Sequence, residues 1–315
     1  MSQSIMNYEE FQSYIKQALA KIFVDSNHYV ADDTRELFDD VQVDVIHVRE
    51  KFEGGSTGKG FQVKPYFDEY TSGKPLGEIV LDMVKSIEDT DSWVNPADIL
   101  SMSDFDAVCN KIIFRPINYY RNRKMLKLHM FKVVGDIALV IYMLLRNDGG
   151  MMATAKVDKN TIKKWNLPES YIFEWAMRNT ATLFRPHFIP MEFLMSENDY
   201  TMYPDVHKYF MESPFELEPS RLGAYALFAD NSVNNASVVF YDGVLHKLSE
   251  ILSDDLYFVI ASMSYVVLHT KKSISLEKLR MMARKERNNP YADPDEFLSD
   301  GVYLYSAANG TLKMV

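Results

Sequence analysis

Cysteine is nearly absent from this chain, histidine follows no order, and no apolar run is long enough to span a bilayer. Cys109 is the one cysteine among 315 residues, so no disulfide closes within the chain and no CxxC metal site exists. No cysteine–histidine signature surrounds it, and it reads as a small buried hydrophobe in a reducing compartment rather than as a nucleophile. The seven histidines, His28, His47, His129, His187, His207, His246 and His269, show no HxH, HxxxH or HExxH spacing. His246 and Glu250 share a helix face but lack a third ligand, so no metal and no cofactor is expected. A G-x-S-x-G elbow is missing too, and no pair of carboxylates stands out for acid/base work. Residues 1–10 have neither the basic start nor the apolar core of an export signal, which makes a cytoplasmic protein the expectation.

The most apolar stretch, residues 133–145, is interrupted by Gly135 and Asp136. It is shorter than the ~20 residues a membrane helix needs and reads as a core helix. Asp136 is out of place there, because a carboxylate in apolar surroundings is costly unless something bonds to it. A hydrogen bond to a tyrosine or a cap is the expected answer.

A glycine-rich run, Gly54-Gly55-Ser56-Thr57-Gly58-Lys59-Gly60, invites comparison with a phosphate-binding loop. The spacing fails: three residues rather than four separate Gly54 from Gly58, and Gly60 stands where a hydroxyl must hold magnesium. A turn in a hairpin is the reading.

What is present is ordinary for a globular protein: 47% hydrophobic residues, 25% charged, and a length that favours about two domains. The net charge of −10 argues against non-specific nucleic-acid binding. Residues 82–106 carry seven acidic residues and one lysine, whereas 115–132 and 278–287 lean basic. Apolar spacing predicts a helix over 8–23, a half-buried strand over 41–48, a returning strand over 61–66 and a helix over 76–87. Residues 98–145 read as helical with a break at Arg115-Pro116. A strand over 151–157, helices from Asp158 and Pro168, and an extended 184–191 follow. Beyond a proline-rich 196–220 the rhythm becomes strand 224–228, strand 236–241, helix 243–252, one or two strands in 256–268, helix 275–287 and strand 302–305. The resulting expectation is an α+β fold: an N-terminal helix plus β-hairpin unit (1–92), a mainly helical middle (93–198), and a C-terminal domain (215–315) whose antiparallel or mixed sheet carries helices on one face.

Two segments offer binding chemistry. Arg115, Tyr119, Tyr120, Arg121, Arg123 and Lys124 mix cations with rings, as single-stranded nucleic-acid binders do. Tyr200, Tyr203, Tyr209 and Phe210 fall in the proline-rich stretch and are candidates for a protein contact, since tyrosine buries large area at low entropic cost.

Several pieces in order resemble an uncharacterised bacterial family, a domain of unknown function from anaerobic Gram-positive gut bacteria. They are residues 8–11 (YEEF), 66–73 (YFDEYTSG), 117–122 (INYYRN), 149–154 (GGMMAT), 183–191, 241–245 (YDGVL) and 298–303 (LSDGVY). The resemblance implies an intracellular protein of bacterial or mobile-element origin and no particular activity. The family pattern carries a Pro-Ser-Ser-x-His-Glu run where this chain has Ile260-Ala261-Ser262-Met263-Ser264-Tyr265, which removes a polar cluster fit for acid/base chemistry. The reading that follows is a non-catalytic binding or regulatory protein acting on a protein partner. An enzyme with a dispersed site, or a nucleic-acid binder through 115–124, stands as the alternative.

Overall fold

The computed structural model describes residues 5–24, 26–38, 41–52, 55–91, 96–148, 151–195, 210–212, 215, 217–229, 234–287 and 297–315. The chain divides into two compact units, Met1–Met102 and Ser103–Val315.

In the first unit, α1 (Tyr8–Ile22) begins at a capping box: Asn7 accepts from the Glu10 N–H, and the Glu10 carboxylate accepts from the Asn7 N–H. Such a cap contributes about 1 kcal/mol and fixes where the helix starts. Strands β1 (His28–Phe38), β2 (Val41–Phe52) and β3 (Gly55–Gln62) form an antiparallel sheet with β2 in the middle. Helices α2 (Val63–Thr71), α3 (Leu76–Asp91) and α4 (Pro96–Leu100) follow. Phe11, Ile15 and Leu19 of α1 meet Ile46, Phe61, Ile79, Met83 and Ile87 in one buried core. The Phe11 ring stacks on Tyr70 at 5.3 Å, and Tyr8 meets Phe67 edge-on at 5.2 Å.

From Gly55 onward the glycine-rich run, expected to be a turn, is strand β3; Gly54 lies outside the described residues. A Cβ at Gly58 would run into the Val48 carbonyl, and one at Gly60 would come within 2.9 Å of the His47 ring. The glycines are there because β2 passes too close for side chains. Strand β1 was not anticipated.

The described residues of the second unit form two antiparallel sheets. Its elements are α5 (Phe105–Val108), β4 (Ile112–Asn118), α6 (Arg123–Leu126), β5 (Phe131–Val134), β6 (Ile137–Asp148), β7 (Met151–Lys156), α7 (Lys159–Trp165), α8 (Glu169–Leu183), β8 (Pro186–Pro190), α9 (Met191–Leu194), β9 (Tyr225–Ala229), a 3₁₀ segment (Asn235–Phe240), α10 (Val244–Leu252), β10 (Leu256–Val259), β11 (Val266–Thr270), α11 (Leu276–Arg287), β12 (Val302–Ser306) and β13 (Thr311–Met314). In one sheet β6 pairs with β4 on one side and with β5 and β7 on the other. The other runs β13-β12-β10-β11-β9-β8. The α+β class is as expected.

Residues 133–145 are not a helix. They form the β5–β6 hairpin, and Gly135 at φ +64° turns the chain. Residues 137–144 are all buried, and a run buried on both faces carries no period that separates strand from helix. Residues 112–118, also within the helical expectation, are strand β4. The strand expected over 236–241 is instead the 3₁₀ segment. There the Ser237 hydroxyl donates to the Asn234 carbonyl at 2.7 Å, a local bond that competes with a ladder. Most of 196–220 lies outside the described residues; β8 before it and β9 after it pair directly.

Candidate functional site

Two polar regions of the second unit compete for attention, and their geometry separates them.

The first surrounds Asp136. Its side chain is 6% exposed, and its carboxylate accepts from the Tyr303 hydroxyl at 2.5 Å and from the Ser299 hydroxyl at 3.0 Å. The expected tyrosine bond is present. The Gly301 N–H donates to Ser299 Oγ at 2.9 Å, and Asn118 Nδ2 donates to the Leu298 carbonyl at 2.7 Å. Burial, reinforced by the Asp136 charge, pushes the Tyr303 phenol far above its usual range, so Tyr303 is a permanent donor here. Tyr303 also lies face to face with Phe258, 5.6 Å between centroids. Every polar group in this cluster is satisfied, and Ser299 and Tyr303 have no exposed surface. It is a clasp between the β5–β6 turn and the strand β12.

The second lies along α8. Pro168 sets an extended entry to this helix, and Ile172, Phe173, Ala176, Asn179 and Thr180 form its buried face. That face covers the free edge of β4. Asn179 Nδ2 donates to the carbonyls of Cys109 (2.6 Å) and Ile112 (2.8 Å), the Phe114 N–H donates to Thr180 Oγ1 (3.0 Å), and Asn234 Nδ2 donates to the Phe114 carbonyl (3.3 Å). Side chains thus complete a strand edge that would otherwise bury unpaired backbone groups. The Tyr241 hydroxyl donates to the Phe184 carbonyl at 3.1 Å and meets Ser237 Oγ at 2.8 Å, which holds the approach to α10 against the end of α8.

The opposite face of α8 lines a groove of about 460 Å³, with Tyr171, Glu174, Trp175 and Arg178 along the helix and Asp242 beyond it. Residues 171, 174, 175 and 178 recur at helical spacing, so one face presents them all. Phe105 supports the wall: its ring lies 5.4 Å from Trp165, 6.1 Å from Tyr171 and 6.2 Å from Trp175. The Arg178 guanidinium lies over Trp175, 3.9 Å from the ring centroid. Among the described residues, Glu174 and Asp242 have no hydrogen-bond or ion-pair partner, and the Trp175 indole N–H has no acceptor. The groove therefore combines rings with unspent charge, the reverse of the clasp.

The residues singled out from sequence fall elsewhere. Arg123 lies over Tyr120 (4.6 Å) and Tyr119 (5.7 Å), and Lys124 is exposed at the start of α6. Arg121 instead lies over Phe297 at 4.1 Å. Arg115 donates to Thr154 Oγ1 at 3.2 Å and lies over Tyr142. Five of the six candidate nucleic-acid contacts are thus split among three sets of protein partners, and Lys124 is exposed. Phe210 is fully buried against Phe188 and Phe215, which makes it core rather than surface; Tyr200, Tyr203 and Tyr209 lie outside the described residues. Cys109 is half-buried, with its thiol 3.5 Å from the Asp106 carbonyl, not fully buried as expected. His246 and Glu250 do share a face at 3.5 Å. Among the described residues no group of three or more His, Cys, Asp or Glu side chains converges as a metal site, and no helix is long and apolar enough to cross a membrane.

The groove was missed because its residues are spread over 171–178 and 242 with no motif. The signal was there in the paired spacing of Tyr171, Trp175 and Arg178 on the polar face of a helix. Six of the seven motif pieces, by contrast, meet in pairs as packing. Residues 8–11 touch 66–73 through Tyr8–Phe67 and Phe11–Tyr70, 117–122 touch 298–303 through Asn118–Leu298, and 183–191 touch 241–245 through Phe184–Tyr241.

No curated protein and no solved structure matches the chain. A family model does match, over residues 8–307, and it places nearly the whole chain in one family. The chain belongs to the family of unknown function DUF5688.

Proposed function

We propose that this chain is a non-catalytic binding protein of the bacterial cytoplasm, and that it holds a segment of a protein partner in the groove along α8. The observation that carries this reading is the state of the groove's polar groups. Glu174, Asp242 and the Trp175 indole N–H are without partners among the described residues, beside an aromatic wall fixed from behind by Phe105. Interface centres favour tryptophan, tyrosine and arginine, which fill and orient a contact at modest entropic cost. The back of α8 is locked to β4 by Asn179 and Thr180, so the groove is formed before a partner arrives. The cytoplasmic setting rests on the single cysteine and on the family resemblance.

Photocrosslinking tests this. A benzoylphenylalanine placed at Ala181, which lines the groove, should trap a discrete partner in cells. The same group at Leu222, an exposed apolar residue 58% accessible, should not. Equal trapping from both positions, or trapping from Leu222 alone, would remove the groove from the account.

A further inference from the structure

From the charge and ring geometry of the groove we infer that its occupant is a basic peptide segment, whose lysine or arginine side chain lies between Glu174 and Asp242. The inference rests on the binding role proposed above and adds the chemistry of the partner. Of the groove's three charged side chains, Arg178 already lies on Trp175 at 3.9 Å, where the ring face holds its guanidinium. The two carboxylates have no such partner among the described residues. With Arg178 counted, the lining charges sum to −1, so the groove favours a cation over an anion. Tyr171, 41% exposed, offers a second ring face for the stem or the charge of the incoming side chain. The Trp175 N–H can donate to a carbonyl of the incoming backbone, a contact that a free inorganic cation would not make. A volume of about 460 Å³ suits one or two side chains rather than a whole domain. The net charge of −10 draws positive segments toward the surface at long range.

The test uses fluorescein-labelled nonapeptides, Gly-Ser-Lys repeated three times and Gly-Ser-Gln repeated three times, in anisotropy titrations of the full chain at low salt. The lysine peptide should bind more tightly, and Glu174→Gln and Asp242→Asn should each weaken it about three- to fivefold, the size of a partly exposed ion pair. Glu9→Gln, an exposed carboxylate on α1, should leave it unchanged. If both peptides bind equally and Trp175→Ala abolishes both, the groove binds peptides but the basic occupant is wrong. If Glu174→Gln and Asp242→Asn have no more effect than Glu9→Gln, the peptide is held by net charge and the inference fails. If neither peptide binds, or if Trp175→Ala retains full binding, the basic occupant and the groove fall together.

Discussion

The clasp at Asp136 and the groove along α8 are built from the same kinds of residue, with opposite outcomes. Each has a carboxylate beside aromatic rings. At the clasp the carboxylate is buried and accepts hydrogen bonds from the Ser299 and Tyr303 hydroxyls. At the groove, Glu174 and Asp242 are exposed and take nothing from the described residues. A buried polar group must be satisfied from within, so its partners report on folding. An exposed one is satisfied by water and stays available to a partner, which is what the proposed binding role uses. Chemical interest in a sequence is therefore a poor guide to function until burial and bonding are known.

The largest effect should come from breaking the clasp. Asp136→Ala leaves the Tyr303 and Ser299 hydroxyls buried without their acceptor, at a cost of about 3 kcal/mol. Calorimetry should show Tm lower by roughly 6–12 °C for a unit of this size. A variant that melts like the parent but loses its partner would move Asp136 from the frame to the site.

A second prediction sharpens the contrast through pH. His269 is 5% exposed, donates from Nδ1 to the Gly223 carbonyl at 2.8 Å, and has a buried Nε2 without a hydrogen-bond partner. Burial, with Lys278 adding to it, holds the imidazole below its ordinary range. The neutral ring is therefore favoured in the folded state, while the unfolded chain takes up its proton near pH 6.5. This contribution to stability is complete above that pH. It is lost as pH falls from about 6.5 toward the lowered folded value, by at most about 1.4 kcal/mol per pH unit. His269→Gln keeps a donor toward Gly223 and should flatten that slope in denaturant titrations from pH 7 to 5. An unchanged slope would mean that another group titrates.

The smallest effect is expected at the nucleic-acid candidate. Tyr120 is 54% exposed beneath Arg123, and such a surface stack is worth about 0.5–1 kcal/mol. Tyr120→Ala should shift Tm by a few degrees at most and leave the affinity for a labelled oligothymidine as weak as the parent's. A fall in oligonucleotide affinity would revive that reading of 115–124.

These contrasts also show what was legible from the residues alone. Helices α1, α3, α7, α8, α10 and α11 could be read because an apolar stripe, a cap or a proline marked each one. Strands β4 and β6 could not, since apolar runs buried on both faces lack a period, and β13 lies mostly exposed with no alternation to betray it. The tyrosine partner of Asp136 was legible in kind because the cost of burying a carboxylate is general. Which tyrosine it was required contacts 167 residues apart. The spacing of the groove's rings on α8 was legible, but what distinguishes the groove, the absence of partners for Glu174 and Asp242 among the described residues, belongs to the folded molecule.

The most direct measurement compares two variants in one assay, the affinity for the lysine nonapeptide well below either melting temperature. Trp175→Ala, which strips the groove of its central ring, should lose binding while Asp136→Asn, which disturbs only the clasp, should keep the parent's affinity. The opposite result, binding kept by Trp175→Ala and lost by Asp136→Asn, would contradict the assignment of function to the groove and of structure to the clasp.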